Sequence, residues 1–178
     1  ESFIPAALSD ELARKLTSYY LAELRKSPER RDKVEFEIAF TCFVPDLQSK
    51  LSPLSKNGFS EVEQDLIKKN LLHLTKNIFS QVDDDTATVA TLPLKVKLLR
   101  DDLDVKDMQS TEGRVKNKVV MITKLLAVTK EFGTLPFANL ARGAFVAVSI
   151  LRALVESGHL TNAQHDAFME SLETVSKE

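Results

Sequence analysis

Phe132-Gly133-Thr134-Leu135-Pro136-Phe137-Ala138-Asn139-Leu140-Ala141-Arg142-Gly143-Ala144-Phe145-Val146-Ala147-Val148-Ser149-Ile150-Leu151-Arg152-Ala153-Leu154-Val155 is the most apolar run of the chain, and Glu156-Ser157-Gly158-His159-Leu160 follows it. The run carries boundary signals of its own. Gly133 suits the left-handed residue that ends a preceding helix, Thr134 suits an N-cap, and Pro136 falls in a first turn, where a missing N–H costs nothing. Gly158 suits the far end. Between Thr134 and Val155 the only charges are Arg142 and Arg152. A helix so apolar is expected to be wrapped by others nearly all round, so the expected fold is organised around a buried central helix at about 134–157.

Roughly 20 residues would also span a bilayer core. Arg142 near the middle argues against that, with Asn139 and Ser149, because a charge at that depth costs on the order of 3 kcal/mol or more. The expectation is a buried helix and no membrane partner. A guanidinium keeps its proton when buried, so Arg142 needs a carboxylate, a set of carbonyls or a ligand anion.

A chain of 178 residues suffices for one domain that buries about 70% of its unfolded surface without staples. Charged residues at 28% and hydrophobic ones at 43% are ordinary for a globular protein. A net charge of −2 gives no footprint for nucleic acid. Cys42 is the only cysteine, which excludes an intrachain disulfide and a Cys-rich metal site and agrees with a cytoplasmic setting. No secretory signal opens the chain. It begins at Glu1 without methionine and stops at Glu178 inside a helical pattern, so it is read as one helical domain, 1–178, excised from a larger protein.

Ser9-Asp10-Glu11 opens a first helix whose stripe is Leu8, Leu12, Leu16, Tyr20 and Leu24, and Ser27-Pro28 ends it. From Asp32 to Val44 two periods compete. Val34, Phe36, Ile38 and Phe40 alternate with Glu35, Glu37 and Ala39 as in a half-buried strand, whereas Asp32 with Glu35 fits a capping box. The alternation favours one short β segment near 33–44, with Glu35 and Glu37 on the face opposite the core. A short helical turn at 46–54 and a loop at Lys56-Asn57-Gly58 come next.

Ser60 with Glu63 forms a capping box for a long helix with Phe59, Val62, Leu66, Ile67, Leu71, Leu74, Ile78 and Phe79 on its apolar face. Asp83 to Thr91 reads as an acidic surface loop, since it lacks the glycine and distal glutamate of a calcium site. Another helix follows Pro93 with Val96, Leu99 and Leu103, fading across 104–113. Val115, Val119, Ile122 and Leu126, with Val120, Leu125 and Phe132, give a strong helix that Gly133 ends. The central helix then packs back on it as an antiparallel hairpin. Thr161 with Gln164 caps a last helix bearing Ala167, Phe168, Leu172 and Val175. The fold class is mainly α.

Chemistry-bearing motifs are scarce. Five scattered glycines fit no phosphate loop. His73, His159 and His165 have no zinc spacing, and Cys42 reads as a small buried hydrophobe. Thr134, Asn139 and Arg142 stand at the start of the central helix, whose free N–H groups could hold an anion. The other reading of Arg142 is a structural pair with Glu35, Glu37 or Glu131.

Two blocks carry a resemblance. One is Ser2-Phe3-Ile4-Pro5 with the Tyr19-Tyr20 helix and Asp32-Lys33-Val34-Glu35-Phe36-Glu37-Ile38-Ala39-Phe40-Thr41-Cys42-Phe43. The other is Phe132-Gly133-Thr134-Leu135-Pro136-Phe137-Ala138-x-Leu140-Ala141-Arg142 with Phe168-Met169-x-Ser171-Leu172-x-Thr174-Val175. Together they resemble the large phosphoenolpyruvate synthase-like phosphotransferases, which include pyruvate phosphate dikinase, rifampin phosphotransferase and capsule-associated kinases of small acceptors. In that family an ATP-binding domain phosphorylates a histidine on a swivelling domain, and the phosphohistidine travels to an acceptor site. Neither a Thr/Ser-x-Gly-Gly run followed by His nor an ATP-grasp glycine loop is present.

The resemblance therefore implies the helical acceptor-side or lid region, without cofactor or catalytic residue of its own and inert alone. ATP and magnesium would belong to the parent protein. The implied partners are its ATP-binding and phosphohistidine domains and a small-molecule acceptor. On this view Arg142 and Thr134 would hold the acceptor or the incoming phosphoryl group, with Asn139 beside them, and Glu35 and Glu37 would orient the acceptor. The competing class is a self-standing helical protein-interaction domain.

Overall fold

The computed structural model describes residues 4–104 and 111–172. The Phe3 end of the first extended segment, the centre of the polar stretch at 105–110, and Thr174 and Val175 lie outside the described residues. Helices dominate, as the sequence led us to expect, and among the described residues no strand forms. The chain divides into two compact units, Glu1–Asn77 with Phe145–Glu178, and Ile78–Ala144.

Among the described residues, every buried leucine, isoleucine, valine, tyrosine and phenylalanine lies in the first unit. Helix α1 (Asp10–Lys26) starts where the Ser9 hydroxyl accepts from the Leu12 N–H and ends at Ser27. Of the predicted row it buries Leu12, Leu16 and Tyr20, while Leu24 is part-buried. Helix α3 (Leu47–Lys56) buries Leu47, Leu51 and Leu54 and contains Pro53. The carbonyl of Ser49, which a residue at position 53 would normally bond, accepts instead from the Ser52 hydroxyl at 2.7 Å. Helix α4 (Glu61–Ser80) opens with the predicted box: the Ser60 N–H donates to Glu63 Oε2 at 2.7 Å and the Glu63 N–H to Ser60 Oγ at 3.3 Å. Leu16, Leu47, Leu51, Leu54, Ile67 and Leu71 are the largest fully buried side chains. Each contributes about 1.5–3 kcal/mol by leaving water.

The expected β segment near 33–44 is a turn of 3₁₀ helix (Pro28–Lys33), a four-residue helix α2 (Val34–Glu37) and an irregular stretch. A strand needs a partner for its N–H groups, and none is present among the described residues. Those groups are satisfied otherwise. The N–H groups of Ile38 and Ala39 bond back to the Val34 carbonyl. Phe40 N–H donates to the Tyr20 hydroxyl at 3.0 Å and Phe43 N–H to the Thr75 hydroxyl at 2.8 Å. Ile38, Ala39, Cys42 and Val44 are thereby held in the core.

In the second unit, helix α5 (Val82–Asp104) occupies the predicted loop at 83–91 and runs through Pro93. Its threonines do not break it, because Thr86, Thr88 and Thr91 turn their hydroxyls back to the carbonyls of Val82, Asp84 and Thr88. Asp83, Asp84 and Asp85 sit in its first turn, where negative charge is favourable.

The predicted stop at Gly133 is also absent. Helix α6 (Thr111–Thr129) passes through a π-helical segment (Lys130–Thr134) directly into α7 (Leu135–Glu156), so no hairpin forms. Gly133 is not among the glycines with positive φ, which are Gly58 and Gly158. Its role is close approach: Leu92 Cδ2 on α5 lies 3.0 Å from where its Cβ would be. Lys95 of α5 covers the Phe132 ring, 3.9 Å from its centroid.

That continuity overturns the buried central helix. With α6 extending α7 instead of folding back beside it, the neighbour that should have covered α7 is missing. Pro136, Gly143, Val146 and Ala153 are buried along one stripe, while Leu135, Phe137 and Phe145 are exposed. The row Val115, Val119, Ile122 and Leu126, expected to face the core, is exposed too. By length and composition the continuous helix Val115–Glu156 could cross a membrane, with an 18-residue window of mean hydropathy 1.5 that is 17% buried. Gly158 ends α7 as predicted, at φ 76°, with His159 N–H bonded to the Leu154 carbonyl. Helix α8 (Asn162–Ser171) begins with the Thr161–Gln164 capping box.

Candidate functional site

The sequence candidates fall into two groups, one in each unit. Thr134, Asn139 and Arg142 belong to the second unit, Glu35 and Glu37 to the first.

Thr134 is not a helix cap. Its hydroxyl donates to the Thr129 carbonyl at 3.4 Å, five residues back, in keeping with the π geometry there. The first N–H of α7, on Leu135, is bonded to the Lys130 carbonyl. An anion site built from free N–H groups therefore does not exist at this point, because the helix has no beginning there. Asn139 Nδ2 donates to Asp85 Oδ1 at 3.4 Å, joining α7 to the first turn of α5. Arg142, three residues on, shares that side of the helix. It is exposed and has no ion-pair partner among the described residues. Among the described residues the structural pair with Glu131 does not form, and Glu35 and Glu37 belong to the other unit. Next to it Gly143 is buried, with Val82 Cγ2 3.6 Å and Ile78 Cγ2 3.9 Å from the place of a Cβ. What stands on this surface is a guanidinium fork one helical turn from an amide that is bonded to a carboxylate. Such a set can bind a phosphate or carboxylate through Arg142 while Asp85 accepts from a hydroxyl or amine.

Glu35 and Glu37 do not share a face as they would on a strand. In α2 they point about 200° apart. Glu37 pairs with Arg30 at 3.4 Å and Lys33 at 3.6 Å, and the Glu35 carbonyl accepts from the Thr41 hydroxyl at 3.3 Å. The Glu37 carboxylate is thus committed to the local turn, whereas at Glu35 it is the backbone that is held.

No protein family, curated protein or solved structure is matched by this chain. The site must be read from its own geometry.

Cys42 is a buried small residue, as expected. Burial pushes its thiol up, against hydrogen bonds with Thr41 and Ser149 and the Lys50 charge. His73 is exposed beside Asn77, and His159 lies 2.9 Å from the Ser157 hydroxyl. No group of three or more His, Cys, Asp or Glu among the described residues is placed to hold a metal ion. Sequence reasoning missed two features. Asp85 falls in the stretch whose acidic composition predicts a loop, although its position seven residues before Leu92 fits a helical repeat. An open depression of about 230 Å³ in the first unit is lined by Arg152, Val155, Glu156, Asn162 and His165. His165 Nδ1 lies 3.0 Å from Asp166 Oδ1, and its buried Nε2 has no hydrogen-bond partner among the described residues.

Proposed function

We propose that this chain is the acceptor-side helical module of a cytoplasmic, multidomain phosphotransferase of the phosphoenolpyruvate synthase-like kind, inert by itself. The observation that carries the reading is the exposed Arg142, which among the described residues has no carboxylate partner and stands one helical turn from Asn139 and its Asp85 contact. A cation so placed is available to phosphate oxygens, and phosphoryl transfer is accelerated mostly by positioning and charge neutralisation. In the parent protein, ATP and magnesium would act on other domains. Here Arg142 would hold the phosphoryl group or an acidic acceptor, Asn139 would orient it, and Asp85 would accept a proton-bearing group of the acceptor. Glu35, Glu37 and Thr134 have no part in this version of the site.

The test is thermal stability of the chain with inorganic phosphate, amino acids, sugars and their phosphates. A ligand that binds only the folded form raises the melting temperature. A rise with an anionic or phosphorylated ligand that is lost in Arg142→Ala supports the reading. A rise that survives Arg142→Ala, or none with any of these ligands, rejects it. Unliganded Arg142→Ala should keep its stability within about 0.5 kcal/mol, as exposed residues do.

The exposed row on α6 favours one second reading, a self-standing helical interaction domain. That reading expects no stabilisation by small anions.

A further inference from the structure

The row Val115, Val119, Ile122 and Leu126 is between 57% and 66% exposed along α6. Its spacing of four, three and four is the seam of a two-stranded coiled coil over about 16 Å of helix. In that register the flanking positions include Lys116, Lys118 and Lys130, with Thr123 and Leu125 filling the others. From Val115 to Lys130 there are four lysines and no carboxylate. The inward side of the same helix is a different set, Met121, Leu125, Val128 and Phe132, all part-buried.

We infer that α6 docks an acidic amphipathic helix, whose own apolar seam covers Val115, Val119, Ile122 and Leu126 and whose flanking glutamates or aspartates meet Lys116, Lys118 and Lys130. Charge complementarity selects this occupant. Flanking charges set partner choice in such pairs, and a second copy of α6 would bring lysines to lysines with no acid to relieve them. The row is aliphatic and carries no Trp or Phe of the kind that anchors helices at a lipid interface. The inference rests on the module reading, under which another domain of the parent protein supplies the helix.

The experiment is fluorescence anisotropy of the whole chain with a labelled helical peptide of about four turns. The peptide carries leucines at four-three-four spacing and glutamate flanks, and its twin carries lysine flanks. Saturable binding of the glutamate peptide, weakened at least about tenfold by Val119→Ser with Ile122→Ser and again by Lys116→Glu with Lys118→Glu, supports the inference. Both pairs are exposed, and unchanged melting temperatures show that the variants fold. Equal binding of the two peptides, no binding, concentration-dependent self-association through the seam, or binding to phosphatidylserine vesicles in place of the peptide each overturns it. None of these outcomes alters the Arg142-dependent ligand response, so the two readings fail separately.

Discussion

Leu92 and Gly133 meet where there is no room for a side chain: the Leu92 Cδ2 atom lies 3.0 Å from the position a Cβ on Gly133 would take. Gly133 is helical, so alanine would remove the entropic penalty of glycine, about 1 kcal/mol in a helix interior. The obstacle is the tip of a part-buried leucine, which can shift by a few tenths of an ångström. Gly133→Ala should therefore change stability by less than about 1 kcal/mol. Gly133→Leu should cost about 1–3 kcal/mol through overpacking against α5. Urea unfolding of the two variants checks the pair of values. Equal, negligible effects would mean that α5 does not rest on this glycine.

The Tyr20 hydroxyl is the acceptor for the Phe40 N–H. Tyr20→Phe keeps the ring packing and leaves a part-buried N–H without its partner. The expected loss is about 1–3 kcal/mol. Thr75→Val should behave alike at the Phe43 N–H, since its hydroxyl holds the same stretch. Amide exchange at Phe40 and Phe43 would localise the effect; unchanged protection in both variants would contradict it.

Burial raises both the Cys42 thiol and the Tyr20 phenol, in Tyr20 despite the Phe40 hydrogen bond and in Cys42 despite its polar neighbours. Each is neutral when protonated, so the native state keeps its proton to higher pH than the unfolded chain. Their contribution is complete below the unfolded values, about 8.5 and 10, and is lost as pH rises beyond them. Melting temperature should fall on the alkaline side, and Cys42→Ala should flatten the early part of that fall. An identical alkaline slope in the variant would remove Cys42 from the account.

The Glu63 carboxyl is held below its ordinary value, first by the Lys15 ammonium at 2.7 Å and next by the Ser60 N–H. A carboxyl with a lowered folded pKa stabilises above its unfolded value, and the benefit disappears as pH falls through the folded one. Glu63→Gln keeps an acceptor for the capping box but loses the ion pair with α1. The acid limb of the stability profile should become shallower in this variant, read by circular dichroism melts between neutral and acidic pH. An unchanged acid limb would show that the Lys15 contact is absent in solution.

Local signals were legible wherever a few adjacent residues decide the outcome. The caps at Ser9, Ser60 and Thr161 and the left-handed Gly158 are where the sequence puts them. The α1 row was legible for the same reason, since one periodic stripe met one core. In α4 the pattern was too broad: Ile67 and Leu71 are fully buried, Val62 is 71% exposed, and the inner face includes Gln64 and Thr75. Gln64 earns its buried place through hydrogen bonds to Ser55 and the Phe59 carbonyl, which no hydropathy pattern contains. Of the candidate site, Arg142 and Asn139 were found as polar groups in an apolar run, whereas Asp85 became visible only once its segment proved helical.

Amino-acid order alone determined that this protein is built of helices, where α1, α4 and α8 begin, and which arginine interrupts the apolar run. Tertiary structure alone decided whether Gly133 turns the chain or lets it pass, and with that whether α7 is covered or bare. The reason is physical: a glycine permits both the left-handed and the helical backbone at little cost. The choice between them falls to the contacts of Gly133 and Phe132 with Leu92 and Lys95 of α5, made by residues far apart in sequence.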